Sequence, residues 1–222
     1  SHEQAWKLKE RLFGASDRRT LDALTEYLEA CALAGTPKSC EPQAAAAVQL
    51  YEALGDPKAP GLAAMLRAQA LLTAYAGRHA SALGLLERAI HIWEQNGTSF
   101  EQNALDGMSS KGTLLLNMGR EREALAAVDA ILPRQNALVG GRAPQLFVTV
   151  QSRASILSRM GRLDEALLVA TETVRLRTEV LTAEHQDTMA ARLTLGTIQL
   201  KLGRIEEAAA TLGGTADALE RI

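Results

Sequence analysis

Apolar side chains recur along this chain at three- and four-residue intervals, in blocks separated by single glycines. Leu83, Leu86, Ala89 and Ile90 form one such block, Leu125, Val128, Ile131 and Leu132 a second, and Leu167, Ala170 and Val174 a third. This spacing is that of a helix with one buried face. A glycine between two such blocks predicts a tight helix–helix turn, with the glycine past the helix end in a left-handed conformation. The pattern predicts first helices over about 18–34, 60–76, 102–118, 144–160 and 186–202. Their partners are predicted over about 42–54, 78–95, 120–133, 162–180 and 204–220, with a lone second helix at 4–13.

The blocks are copies of one unit. The segments AGRHASAL, MGREREAL, MGRLDEAL and LGRIEEAA begin at Ala76, Met118, Met160 and Leu202, so Gly77, Gly119, Gly161 and Gly203 are each 42 residues apart. Gly35 lies 42 residues before Gly77 and closes the related run EACALAG. Five residues after each of the four later glycines comes an alanine: Ala82, Ala124, Ala166 and Ala208. Seven residues before comes a small residue: Ala70, Gly112, Ala154 and Gly196. A glycine inside a helix costs roughly 1 kcal/mol. Gly112 and Gly196 therefore predict close helix crossings. Pro60 and Pro144 fit first-turn positions, and Asp56-Pro57 and Gly140-Gly141 mark loops between units.

Composition narrows the function more than the fold. Lys and Arg number 24 against 26 Asp and Glu, a net charge of -2 that gives no general attraction to nucleic acid or anionic membranes. No apolar stretch is long enough to span a bilayer. Ser1-His2-Glu3 does not open a signal peptide and lacks an initiator Met, which predicts an excised piece of a larger protein. The abundance of Ala, Leu, Arg and Gly points to a bacterial source. Cys31 and Cys40 do not make a disulfide scaffold; a reducing, cytoplasmic setting is expected, with Cys31 a small buried apolar residue. His79, His91 and His185 fall in different units without metal-ligand spacing, and no nucleophile elbow, phosphate loop or dinucleotide fingerprint occurs. Neither metal nor cofactor is expected, and the chain is read as no enzyme. Trp6 and Trp93 are expected to pack between hairpins.

The triplets Gly112–Gly119–Ala124, Ala154–Gly161–Ala166 and Gly196–Gly203–Ala208 resemble the tetratricopeptide repeat family, in its 42-residue kinesin-light-chain-like form also found in bacterial regulatory proteins. RLRTEVLTAEHQDTMAARLTLGTIQLKLGRIEEA, from Arg175 to Ala208, is similar to the long-loop version, and Arg11–Thr20 echoes it 168 residues earlier. The resemblance implies an all-α fold, a right-handed solenoid of antiparallel helix hairpins. It would form a single array over 1–222: a partial hairpin at 1–17 and repeats at about 18–59, 60–101, 102–143, 144–185 and 186–222. The hairpin from 18 to 59 departs most, since Cys40-Glu41 replace the usual alanine–leucine pair, and Gly213-Gly214 interrupt the last helix.

In that family the first helices line a concave face that receives peptides or helices. Counting back from each glycine places Tyr75, Asn117, Arg159 and Lys201 two residues before it. Thr113, Ser155 and Thr197 lie six before, and Arg67, Ser109 and Gln151 ten before. These ten are the candidate partner-binding residues, with Asp22 and Asp106 on the rim. Their hydroxyl and amide groups suit an extended backbone, and Arg67, Arg159 and Lys201 suit acidic groups. Arg78, Arg120, Arg162 and Arg204, each just after the glycine, are read as turn structure, because Glu121, Glu123, Asp164, Glu165, Glu206 and Glu207 offset their field. The expected function is a non-catalytic scaffold for a peptide or partner domain. The alternatives are a sensory or regulatory module of a larger bacterial kinase or transcriptional regulator, and a homo-oligomerisation arm using the terminal helices.

Overall fold

The turn glycines do what their spacing predicts. Gly77, Gly161 and Gly203 take φ of 81°, 77° and 74°. The arginine after each donates its N–H to the carbonyl five residues earlier: Arg78 to Thr73 at 3.1 Å, Arg162 to Leu157 at 3.0 Å and Arg204 to Gln199 at 2.9 Å. This closure satisfies carbonyls that the helix end leaves open and reverses the chain within two residues.

The computed structural model describes residues 1–33, 37–139 and 144–219. Among them are α1 (His2–Phe13), α2 (Arg18–Leu33), α3 (Pro37–Ala53), α4 (Pro60–Tyr75), α5 (His79–Gln95), α6 (Glu101–Asn117), α7 (Glu121–Val139), α8 (Pro144–Arg159), α9 (Leu163–Leu181), α10 (Gln186–Lys201) and α11 (Ile205–Leu219), with one 3-10 turn at Thr98–Phe100 and no strand. The fold is the all-α hairpin solenoid that the repeat implies. Gly35, Gly140 and Gly141 lie outside the described residues.

Two compact units divide the chain, Ser1–Met118 and Gly119–Ile222. In the first, α1 packs on α2, α2 on α3 and α4, and α5 on α4 and α6. Leu21, Leu28, Leu62, Met65, Leu66 and Trp93 fill its core. Trp6 stacks on Tyr27 with ring centroids 5.3 Å apart. In the second, α8 lies against α7, α9 and α10, and α10 against α9 and α11, around Ile131, Phe147, Ile156, Leu157 and Ile198. Side chains of this size each contribute about 1.5–3 kcal/mol when fully buried.

The small residues sit at the crossings. Ala82, Ala124, Ala166 and Ala208 are all 0% exposed. A Cβ on Gly196 would come within 2.6 Å of Leu212, so the approach of α10 to α11 requires glycine there. Gly107 is a second such site, unmarked by the periodicity: its Cβ would meet Ile90 at 2.8 Å and Trp93 at 3.2 Å.

Two helix ends differ from the sequence reading, and the last helix runs on through its glycine pair. α3 starts at Pro37 rather than near 42, since proline suits a first turn, and Pro42 then sits inside the helix at the cost of one backbone hydrogen bond. The earlier start brings Cys40 opposite Cys31, with Cα atoms 6.6 Å apart, and a disulfide joins them. The expectation of two separate thiols is thereby corrected. α7 runs through Pro133 to Val139, held by buried Gln135, which accepts a 2.7 Å bond from Thr149 of α8. α11 continues through Gly213-Gly214 to Leu219, its Leu212 already seated against Gly196.

Candidate partner-binding face

All ten candidate residues fall on the first helices, seven of them exposed and three partly buried. In the first unit Tyr75, Ser109, Thr113 and Asn117 are exposed and Arg67 is partly buried. In the second, Arg159, Thr197 and Lys201 are exposed, and Gln151 and Ser155 are partly buried. Residues one position away, such as Leu114, Ala154 and Ile198, point into the core. The helical period separates the two sets. On α10, Leu193, ten residues before Gly203 and 49% exposed, and Leu200, which the count does not reach and which is 51% exposed, flank Thr197 at successive turns. Val148 on α8 is also exposed. Their signal in the sequence was apolar residues breaking the polar side of the helical pattern.

Both arginines of this face are matched by carboxylates within the chain, and its lysine by a hydroxyl. Arg67 of α4 pairs with Glu29 of α2 at 2.5 Å, and Arg159 of α8 with Glu121 of α7 at 3.2 Å. Lys201 donates to Ser158 Oγ at 3.0 Å. Gln151 Nε2 donates to Thr194 Oγ1 at 3.0 Å and the Ala190 carbonyl at 3.3 Å, tying α8 to α10. Sequence counting could place these side chains on one helix face but not find their partners.

The hydroxyls have a common orientation. Thr113, Ser155 and Thr197 each donate to the carbonyl four residues back, at 3.2, 3.1 and 2.8 Å. A hydroxyl hydrogen spent in this way leaves the oxygen lone pairs facing outward. The stripe therefore offers acceptors, which suit the N–H groups of an extended backbone.

Asp22 does not serve as a free rim carboxylate. Tyr51, 1% exposed, donates its hydroxyl to it, and burial together with this bond pushes the tyrosine pKa up. Gly61 makes room for the pair, since a Cβ there would lie 2.7 Å from the tyrosine oxygen. The turn arginines are also spent locally. Arg120 and Arg162 make forked bonds to Glu123 at 2.6 Å and Glu165 at 2.7 Å, and Arg204 lies 3.5 Å from Glu207. The Arg162 guanidinium holds the Glu165 carboxyl below its ordinary range. Each pair clamps a helix start three residues deep. Arg78 has Ser81 at that place and pairs with Glu41 of α3 instead. Among the described residues no cluster of His, Cys, Asp and Glu could hold a metal ion, and no helix is long and apolar enough to cross a membrane.

Residues 147–213 match the tetratricopeptide repeat family model. No curated protein sequence matches the chain. Among solved structures, a P. anserina kinesin light chain with nearly identical tetratricopeptide-like repeats is 17% identical and superposes with a TM-score of 0.81, over 90% of this chain and 95% of that one. YrrB, a tetratricopeptide protein with an unusual peptide-binding site, is 16% identical with a TM-score of 0.59, over 98% and 93%. The Rap conjugation regulator of plasmid pLS20, solved with the Phr* peptide, is 14% identical with a TM-score of 0.66, over 92% of this chain and 53% of that one. Residues 147–213 thus carry the sequence pattern of the tetratricopeptide repeat, and the chain has the fold of the tetratricopeptide-repeat structures it superposes on.

Proposed function

We propose that this chain is a non-catalytic protein-interaction scaffold whose units each bind an extended peptide or partner segment along their first helices, through Arg67, Tyr75, Ser109, Thr113 and Asn117 in the first unit, and through Gln151, Ser155, Arg159, Thr197 and Lys201 in the second. The observation that carries the reading is the stripe on α10, where Leu193, Thr197 and Leu200 stand one turn apart and exposed. An apolar pair flanking an outward-facing acceptor suits a segment that presents both side chains and backbone N–H groups. The peptide-binding proteins with the same fold support it. The turn arginines, engaged by carboxylates of their own helices, favour a protein over a nucleic acid as partner.

Peptide display on the purified chain tests this. Enriched peptides should lose about tenfold in affinity, a buried-contact effect, when Leu193→Glu is introduced, and again with Arg159→Glu and Lys201→Glu together. Peptides that bind all variants equally would place the interaction elsewhere. A second reading, a regulatory module within a longer bacterial protein, draws on the Rap regulator, of which the matching region is about half. Self-association draws on α1, which leaves Leu8 and Leu12 exposed.

A further inference from the structure

An ion pair recurs between second and first helices at the repeat interval. Lys111 of α6 reaches Glu87 of α5 at 2.7 Å, and Arg153 of α8 reaches Asp129 of α7 at 2.7 Å. One period earlier the same two places hold Gln69 on α4 and Ala45 on α3. The short alanine cannot reach across, so Gln69 Oε1 is buried with no hydrogen-bond partner. Where the pair is missing, a cleft of about 720 Å³ opens among α3, α4 and α5. Its size lies within the roughly 300–1,000 Å³ common for small-ligand sites.

The cleft walls are apolar and low. Pro42 and Ala45 line the α3 side, and Ala80, Ser81, Gly84 and Leu85 the α5 side. A Cβ on Gly84 would meet nothing within 4 Å. At the rim Arg78 pairs with Glu41, which also accepts a 3.3 Å bond from Thr73, and Arg88 pairs with Glu52 at 2.6 Å. Both guanidinium groups are thus neutralised, which removes the demand for an anion. Small apolar walls and one unpartnered amide oxygen suit a neutral planar ring with a single N–H donor.

We propose that this cleft is a binding site for an indole-type ring, seated between α3 and α5, with the Gln69 side chain turning out of its buried position so that Oε1 accepts the ring N–H. The ring is supplied either as a free small molecule or as a tryptophan side chain of a bound partner. The site shares no residue with the proposed partner-binding stripe, so either can fail alone.

The test is a titration of the ¹⁵N-labelled full chain with indole, followed by nuclear magnetic resonance. Saturable shifts are expected at Ala45, Ser81 and Gly84, with affinity of about millimolar or tighter for so small a probe. Gly84→Leu, which fills the cleft, should abolish them, with Ser81→Leu as an independent filler. Gln69→Leu and the probe 1-methylindole, each removing one half of the hydrogen bond, should each weaken binding about tenfold. N-acetyl-tryptophanamide binding as well as indole identifies a partner side chain as the occupant; indole alone identifies a free ligand. No saturable shift with either probe, shifts that survive both fillers in a folded chain, or equal binding of 1-methylindole would overturn the proposal.

Discussion

One loop occurs twice in this protein, once in each unit and 168 residues apart: Gly14–Asp17 leads into α2, and Thr182–His185 leads into α10. The first residue takes nearly the same backbone in both, φ 88° and ψ 162° at Gly14, φ 93° and ψ 165° at Thr182. Each donates its N–H to a carbonyl four residues back, Glu10 at 2.9 Å and Thr178 at 3.3 Å. Each loop ends in a side chain that accepts the amide two residues on: Asp17 from Arg19 at 2.9 Å, His185 from Asp187 at 3.2 Å. Two different sequences reach one geometry. What differs is where the support comes from. The first loop uses a residue suited to the conformation, with Arg19 lying 3.5 Å over the Phe13 ring. The second holds a β-branched residue in a glycine conformation, and buried Arg177 of α9 donates to the Asp187 carbonyl across the loop. Packing in the second loop does what residue choice does in the first.

Exchanging the first residues sharpens that contrast and should give the largest effects. A non-glycine residue in this region stores roughly 1–3 kcal/mol. Gly14→Thr should therefore destabilise the first unit by about that amount, because nothing there corresponds to the Arg177 strut. Thr182→Gly should stabilise the chain by about 1 kcal/mol, the relieved strain exceeding the extra chain entropy of glycine. Denaturant melts of both variants measure this. Equal and opposite shifts would mean that the two loops are supported alike.

The third residue of each following helix, Thr20 and Thr188, gives the next effect. Both hydroxyls are buried without a hydrogen-bond partner. Replacing either with valine keeps the branched shape and removes the buried polar atom, so each variant should gain about 1 kcal/mol. A loss at one site only would show that the loops differ below the backbone as well.

The glycine period, the alanines five residues on and the helix boundaries beside the turn glycines were legible because each is a local demand repeated at fixed spacing. The same count put Arg159, Thr197 and Lys201 on an exposed helix face. It did not find Glu121 for Arg159 or Ser158 for Lys201, since such pairs depend on how neighbouring hairpins are staggered. The Cys31–Cys40 bridge was missed because it follows from where α3 begins, and Pro37 and Pro42 offered competing starts. Gly107 escaped notice for a similar reason. The bulk it avoids, Ile90 and Trp93, lies on α5 of the preceding hairpin, and one period before Gly107 stands Met65, so this glycine is not part of the repeat.

The smallest effect concerns the caps. Arg19 holds the Asp17 carboxyl below its ordinary range, chiefly through its side-chain hydrogen bond and then through the backbone bond. A carboxyl depressed in the folded state contributes stability that is complete above its unfolded pKa, about 3.9 for Asp, and is lost as pH falls through the lower folded value. The α2 cap should thus remain intact through mild acid. His185 caps α10 through Nδ1, which accepts the Asp187 amide at 3.2 Å. His185→Ala removes that acceptor and should cost about 0.5 kcal/mol, the low end for a helix cap, read as lower amide protection at Asp187 with Arg19 unchanged. Should Asp187 stay protected in His185→Ala, the Arg177 strut rather than the imidazole holds the start of α10, and the second loop needs no cap of its own.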